Sequence, residues 1–163
     1  MELRDSDLLL RPFTPADAAA LATALEGDDE IPRFIPRIPV PFTLVDAEAW
    51  VARCIEVCQG GESHPFAIVD GGSGALLGTV EYHGPGRSVG YWITAAARNR
   101  GIATRAVRLV AEWVAERPLR LTTHPENLAS QRVAEKAGFR RVGTVPHLEF
   151  RDGTAEAVLF ELD

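Results

Sequence analysis

A chain of 163 residues with 46% hydrophobic and 25% charged residues is long enough to bury a core without metals or disulfides, and its composition excludes disordered and fibrous classes. A net charge of −6 opposes wide contact with a phosphate backbone, so nucleic acid is not an expected partner, while a cationic amine substrate is permitted but not required. The N-terminal MELRDSDLLL places acids where a signal peptide needs basic residues, and no stretch reaches the ~20 apolar residues of a membrane span, so a cytoplasmic chain without membrane attachment is expected.

Leu8 to Phe13 is an apolar run that predicts a first strand. Thr14 as N-cap, Pro15 and Asp17 then predict a helix running to about Glu26. Between Gly27 and Phe42, Pro32, Pro36, Pro39 and Pro41 interrupt regular hydrogen bonding and predict a shaped loop. Thr43 with Asp46 forms a capping pattern for a second helix. Its apolar face is Leu44, Ala47, Val51, Cys54 and Cys58, and Gly60 and Gly61 end it. The two cysteines share that face, with no further ligands nearby in sequence, so they read as reduced core residues rather than a metal site.

Phe66 to Val69 and Leu76 to His83 read as strands joined by the hairpin turn Asp70 to Gly74. That glycine cluster joins two strands and opens no helix, so it is not a phosphate loop. After the Gly84-Pro85-Gly86 turn comes a strand from Ser88 to Thr94, then a helix from about Gly101 to Glu116 ended by Pro118. Ile102, Ala106, Leu109, Val110, Trp113 and Val114 form its expected buried stripe, with Arg105, Arg108, Glu112 and Glu116 on the wet side. Leu119 to Thr123 is a strand, Asn127 to Ala137 a helix closed by Gly138, and Phe139 to Phe150 a long strand that Asp152 and Gly153 return into a last one. The order predicts one α/β domain built on a mixed sheet of about seven strands with about four helices.

The chemistry concentrates where Gly90-Tyr91-Trp92-Ile93 leads into Arg98-Asn99-Arg100-Gly101-Ile102-Ala103-Thr104. Backbone N–H groups in a first helical turn lack intrahelical acceptors and carry the positive end of the helix dipole, so the turn can receive a diphosphate. Gly101 and Ala103 keep side chains out of the way, and Arg98 and Arg100 can add charge.

Arg98-x-x-Gly101-x-Ala103 resembles the acyl-CoA motif (Q/R)-x-x-G-x-(G/A) of the GNAT N-acetyltransferases. Asn127-x-x-Ser130-x-x-Val133-x-x-Lys136-Ala137-Gly138-Phe139 resembles the second motif of the RimJ/RimL-like branch. With Gly-Tyr-Trp before and Phe150, Asp152 and Gly153 after, the resemblance covers roughly residues 64 to 163 and is looser before that. It implies a GNAT-like fold in which the strand before the motif splays from its parallel neighbour. It also implies acetyl-CoA as acyl donor, with Trp92, Ile93 and Thr94 against the pantetheine arm and the backbone from Arg98 to Thr104 around the diphosphate. Asn127 would reach the arm, and Ser130 would serve the departing thiolate.

A protonated amine cannot attack, so a carboxylate or a water chain must take a proton. The resemblance, counted from Ser130 through Phe139 and Gly143, implies Glu149. Glu81 is the second candidate. Related sequences often carry an acid at the start of the strand before Gly-Tyr-Trp, where this chain has Ser88 after Arg87. Phe34 and Ile35 in the proline-rich loop, with Tyr82 and His83 beside Glu81, are the expected acceptor-binding residues. Hydrolase elbows and zinc-helix motifs are absent and His64, His83, His124 and His147 are scattered, so no metal is expected and direct transfer needs no enzyme nucleophile. The acceptor is a protein N-terminus or a small-molecule amine, and the protein a monomer or homodimer. The rival reading is a noncatalytic acyl-CoA-binding module.

Overall fold

The computed structural model describes residues 1–163. All strands join one mixed sheet in the order β1-β2-β3-β4-β5-β6-β8-β7. In chain order the elements are β1 (Leu3–Asp5), β2 (Leu8–Pro12), α1 (Asp17–Leu25), α2 (Glu30–Phe34), α3 (Leu44–Gly60), β3 (Ser63–Asp70) and β4 (Leu76–His83). There follow β5 (Ser88–Ile93), α4 (Ile102–Trp113), β6 (Leu119–Thr123), α5 (Leu128–Lys136), β7 (Arg140–Phe150) and β8 (Gly153–Leu162). The α/β class and mixed sheet are as the sequence predicts, with one strand and one helix more.

The additional strand, β1, is too short to show a period. It is fixed by tertiary bonds: Arg105 on α4 donates from Nε to Asp5 Oδ2 at 2.7 Å and from its terminal nitrogen to Asp7 Oδ1 at 2.8 Å. The additional helix, α2, contains Pro32, which is tolerated because first-turn N–H groups need no intrahelical acceptor. Asp28 Oδ1 accepts from the N–H groups of Glu30 and Ile31 at 3.0 and 3.1 Å, and Ile31 and Pro32 are buried.

At the start of α1 the expected cap is inverted. The Thr14 hydroxyl accepts no helix N–H, only the Thr14 carbonyl taking that of Asp17 at 3.0 Å; buried Asp17 instead accepts from the Thr14 N–H at 2.7 Å and from both terminal nitrogens of Arg11. Burial alone would raise the Asp17 carboxyl, but the Arg11 and Thr14 hydrogen bonds hold it below its ordinary value. The Thr43–Asp46 capping box of α3 is present, and Gly61 terminates it with φ 76°. Leu44 faces solvent and Cys58 is half-buried, so the apolar face of α3 is narrower than its spacing suggests. Helix α4 stops at Trp113, before Pro118 is reached, and Val107 and Ala111 join its buried face while Leu109 and Trp113 are only partly covered.

The sheet separates two apolar clusters. Helices α4 and α5 cover one face over a core that includes Val80, Val89, Ile93, Val107 and Phe160. Helices α1 and α3 cover the other over Leu21, Val51, Cys54 and Trp92. Strand β5 pairs with β4 along its length, from Ser88↔His83 to Ile93↔Gly78. On its other edge it meets parallel β6 only at Ser88↔Arg120, beside the Arg120 N–H to Arg87 carbonyl bond of 2.8 Å. Beyond that point the strands diverge. At Gly78 on β4, with φ 157°, an added Cβ would lie 2.2 Å from the Trp92 carbonyl oxygen of β5. No helix is long and apolar enough to cross a membrane.

Candidate active site

The divergence of β5 from β6 opens the sheet, and a cavity lies on each face of the opening. The first, of about 430 Å³, sits on the α4/α5 side and the second, of about 400 Å³, on the α3 side. They share Phe34, Ile35, Tyr91, Trp92, Asn127 and Ser130. A molecule in one can therefore meet a molecule in the other at that shared wall.

The first cavity runs past the start of α4. Gly101 takes φ 73° where an L side chain would be strained, allowing the chain to turn from a 3-10 segment (Ala95–Ala97) into the helix. The first hydrogen bond of the helix joins the Arg105 N–H to the Gly101 carbonyl at 3.1 Å, which leaves the N–H groups of Ile102, Ala103 and Thr104 without carbonyl partners. All three residues line the cavity, as do Trp92, Ile93, Arg98 and Asn99. Lys136 and Arg132 on α5 also line it, so three cations face one carboxylate, Glu30. An elongated polyphosphate with an uncharged arm suits these walls.

Two residues expected here stand elsewhere. Arg100 is exposed and outside the cavity. Thr94 is buried, is not among the residues lining the cavity, and gives its N–H to the Leu77 carbonyl at 2.9 Å. Arg98 lines the cavity but is committed to the α2 segment. It pairs with Asp28 and, at 3.1 Å, with Glu30. The Asp28 side chain is only 4% exposed, so this ion pair is anchored rather than loose on the surface. The sequence offered no sign of the pairing, because the partners lie far apart along the chain.

Asn127 and Ser130 come together as their spacing predicts. Asn127 Oδ1 accepts the Ser130 N–H at 3.1 Å as the N-cap of α5. Across the opening, the Tyr91 hydroxyl donates to Ser130 Oγ at 2.8 Å. Burial pushes the Tyr91 phenol up to about 12, only partly offset by the Ser130 bond, so it stays a donor. The sequence marks Tyr91 only as part of a motif and gives no sign of its partner.

The second cavity holds Glu81, whose side chain is 14% exposed. Arg37 approaches Glu81 Oε2 at 3.3 Å and Arg53 approaches Oε1 at 4.0 Å. Gly90 is directly opposite Glu81 in the β4–β5 ladder, and a Cβ there would meet nothing within 4 Å. Cross-strand neighbours share a face, so the missing side chain keeps the way open from Glu81 toward the shared wall. His83 also lines this cavity, with Nδ1 2.8 Å from Ser63 Oγ. Tyr82 points to the other face, buried among Phe66, His64 and Trp113. Strand alternation separates it from Glu81 and His83 and removes it from the acceptor set.

Glu149 lines neither cavity. It is exposed and pairs with Thr154 in the β7–β8 ladder, while its neighbour Phe150 reaches the second cavity and packs edge-on against His124 at 4.6 Å. Strand β7 carries register shifts between Arg141 and Gly143 and between Val145 and Leu148, and His147 takes φ 57°. Counting along an unbroken strand therefore mispredicts which side chains share a face.

Cys54 also lines the second cavity. Burial, and then the Glu81 charge, push its thiol up to about 12, which leaves it protonated and a poor nucleophile. Nearby, His124, Glu126 and Asp152 place ligand-type atoms within 4.8 Å of one another. Arg33 already supplies a cation there, paired with Glu126 and 3.7 Å from Asp152.

Residues 7–140 match the family model described as an acetyltransferase (GNAT) domain. A probable N-acetyltransferase of Bacillus subtilis, YjcK, is 30% identical over 154 residues, covering 86% of this chain and 84% of that protein. Among solved structures, RimL, a ribosomal L7/L12 alpha-N-protein acetyltransferase in complex with coenzyme A, superposes with TM-score 0.85 at 16% identity, covering 99% of this chain and 97% of that one. Mycobacterium smegmatis RimJ in complex with CoA-disulfide gives TM-score 0.82 at 23% identity, covering 99% and 85%.

Proposed function

Because this chain belongs to the GNAT acetyltransferase family, we propose that it transfers the acetyl group of acetyl-CoA to a primary amine by direct attack in a ternary complex. The observation that carries this reading is the pair of cavities meeting at Tyr91, Trp92, Asn127 and Ser130 through the gap between β5 and β6. Acetyl-CoA supplies the thioester: the amine nitrogen bonds to its carbonyl carbon, the C–S bond breaks, and CoA leaves as the thiol after taking up a proton.

The remaining work belongs to the chain. The N–H groups of Ile102, Ala103 and Thr104 hold the diphosphate, with Arg132 and Lys136 adding charge. The β5 edge at Trp92 and Ile93, free of a strand partner, orients the pantetheine arm. Asn127 spends its carbonyl oxygen on Ser130 and keeps its amide N–H groups for the same arm. Ser130 Oγ accepts from Tyr91, so its own O–H is directed elsewhere and can donate to the departing sulfur.

Glu81, in the amine-side cavity, takes the proton that the attacking amine gives up, directly or through one water. It replaces Glu149 as the leading base because a proton acceptor must lie within hydrogen-bond reach of the reacting group. Phe34, Ile35 and His83 border the acceptor. No covalent acetyl-enzyme is needed, since the one cysteine at the cavity is held protonated. The chain acts as one catalytic unit, since a single sheet gathers every strand, and its free cysteines suit a reducing cytoplasm.

The test is release of CoA thiol from acetyl-CoA across a panel of amines and N-terminal peptides, with intact-mass measurement of the protein. Thiol release that depends on amine, without a protein species heavier by one acetyl group, is expected. Tight CoA binding with no amine-dependent release across the panel would return the chain to the noncatalytic reading.

A further inference from the structure

The charge of the amine-side cavity is opposite in sense to what a simple polycation acceptor would need. Its charged lining residues are Arg37, Arg53 and Glu81: two guanidiniums against one carboxylate, in a chain whose net charge is −6. The two arginines arrive from different elements, Arg37 from the segment after α2 and Arg53 from α3, and converge on Glu81.

Neither arginine is used up by that carboxylate. Arg53 stands at 4.0 Å, beyond hydrogen-bond distance, and its guanidinium makes no hydrogen bond within the chain. Arg37 makes one long contact of 3.3 Å and places its guanidinium carbon over the Trp50 ring, 5.0 Å from the centroid. Both guanidiniums line the cavity and keep N–H donors without a partner in the chain. The indole N–H groups of Trp50 and Trp92, in the same wall, also lack a protein acceptor.

Resting on the reading that the second cavity receives the amine, we propose that the acceptor carries a carboxylate or other oxyanion near its amine, which Arg37 and Arg53 bind while Glu81 serves the amine. Such an acceptor inserts one positive and one negative group into an existing arginine–glutamate–arginine cluster and leaves its charge balance unchanged. A diamine or polyamine would add cations to a cavity that already has an excess of one, beside arginines that are themselves 53% and 44% exposed. Planar guanidiniums match an oxyanion in geometry as well as charge. The same chemistry is present in a free aminocarboxylic acid and in a peptide with acidic residues next to its N-terminus.

The experiment uses the full chain with CoA bound, so that binding is read without turnover, and follows tryptophan fluorescence on titration, Trp50 and Trp92 being the two of three tryptophans that line the cavity. The probes are matched pairs: β-alanine against β-alaninamide for the free acid, and an Ala-Glu-Glu peptide amide against Ala-Gln-Gln peptide amide for the protein source, with 1,4-diaminobutane as the cationic control. In at least one pair the anionic member is expected to bind about tenfold or more tighter than its neutral partner. The pair that shows the larger ratio identifies the source. R37Q and R53Q should each shrink that ratio toward one, whereas a general loss of fold would abolish CoA binding as well.

Equal or better binding of the amides or the diamine, or no binding by any probe, overturns the inference. Acetyl-CoA thiol release measured on the same pairs separates the two levels. Selective binding of the anionic members without any release would sustain the oxyanion subsite and contradict acetyl transfer. Release that favours the diamine would sustain acetyl transfer and contradict the subsite.

Discussion

The hydroxyl of Tyr91 on β5 donates a 2.8 Å hydrogen bond to Oγ of Ser130 on α5, bridging the gap where the sheet comes apart. It ties the two walls common to both cavities and fixes the direction of the serine proton. Replacing Ser130 by Ala, or Tyr91 by Phe, is expected to lower kcat by roughly 10²-fold with little change in CoA affinity, the scale of losing a positioned proton donor. Steady-state kinetics alongside CoA titrations check this. Because burial holds the phenol at about 12, the alkaline part of the wild-type rate profile should match that of Y91F in shape until pH approaches that value. An earlier divergence would mean that Tyr91 ionises during turnover.

The two glutamates make opposite forecasts. E81Q should reduce kcat/KM near neutral pH by about 10²-fold or more, and the loss should shrink as pH rises and free amine accumulates. E149Q, on the exposed side of bulged β7, should stay within about twofold of wild type. Rate profiles of both variants on one amine decide between them. A large loss in E149Q with an intact E81Q would move the base to β7.

Among the glycines, Gly78 leaves the least room for a side chain. A Cβ there would overlap the Trp92 carbonyl at 2.2 Å, so G78A should destabilise the chain by roughly 1–3 kcal/mol, as overpacking does. Chemical denaturation would show it. The strain falls on β5 at the shared wall, so CoA affinity should fall too, whereas G90A, with open space around its Cβ, should keep wild-type stability.

Asp17 should shape acid stability. Its folded carboxyl titrates below the ordinary value because of the Arg11 and Thr14 hydrogen bonds, against the opposing effect of burial. The unfolded chain then binds the proton first as pH falls. The contribution is present above the ordinary value of about 3.8 and is lost as pH drops through the lower folded value. D17N should therefore be less stable than wild type at pH 7, and the difference should narrow below about pH 4. Denaturation midpoints at the two pH values test the sign.

What the sequence disclosed was local. The turn into α4 was legible because Gly101 and the apolar stripe after it lie within one stretch, and the Asn127–Ser130 cap because one helical turn sets it. Strand alternation also carried the separation of Tyr82 from Glu81, although the acceptor expectation kept them together. Long-range pairings were hidden. Nothing near Arg98 announces that Asp28 and Glu30 claim it, nor does anything near Arg132 and Lys136 announce that they face the first cavity. Glu149 came from the resemblance alone, and the register shifts that set its position in β7 leave no residue-type signature.

The central claim is that unpaired amides at the start of α4 grip the cofactor. Amide NMR of 15N-labelled protein titrated with CoA tests it residue by residue. The largest shifts should fall on Ile102, Ala103 and Thr104, with smaller ones along Trp92, Ile93 and Ser130. Saturable binding that leaves those three amides unmoved, or no binding, would contradict it.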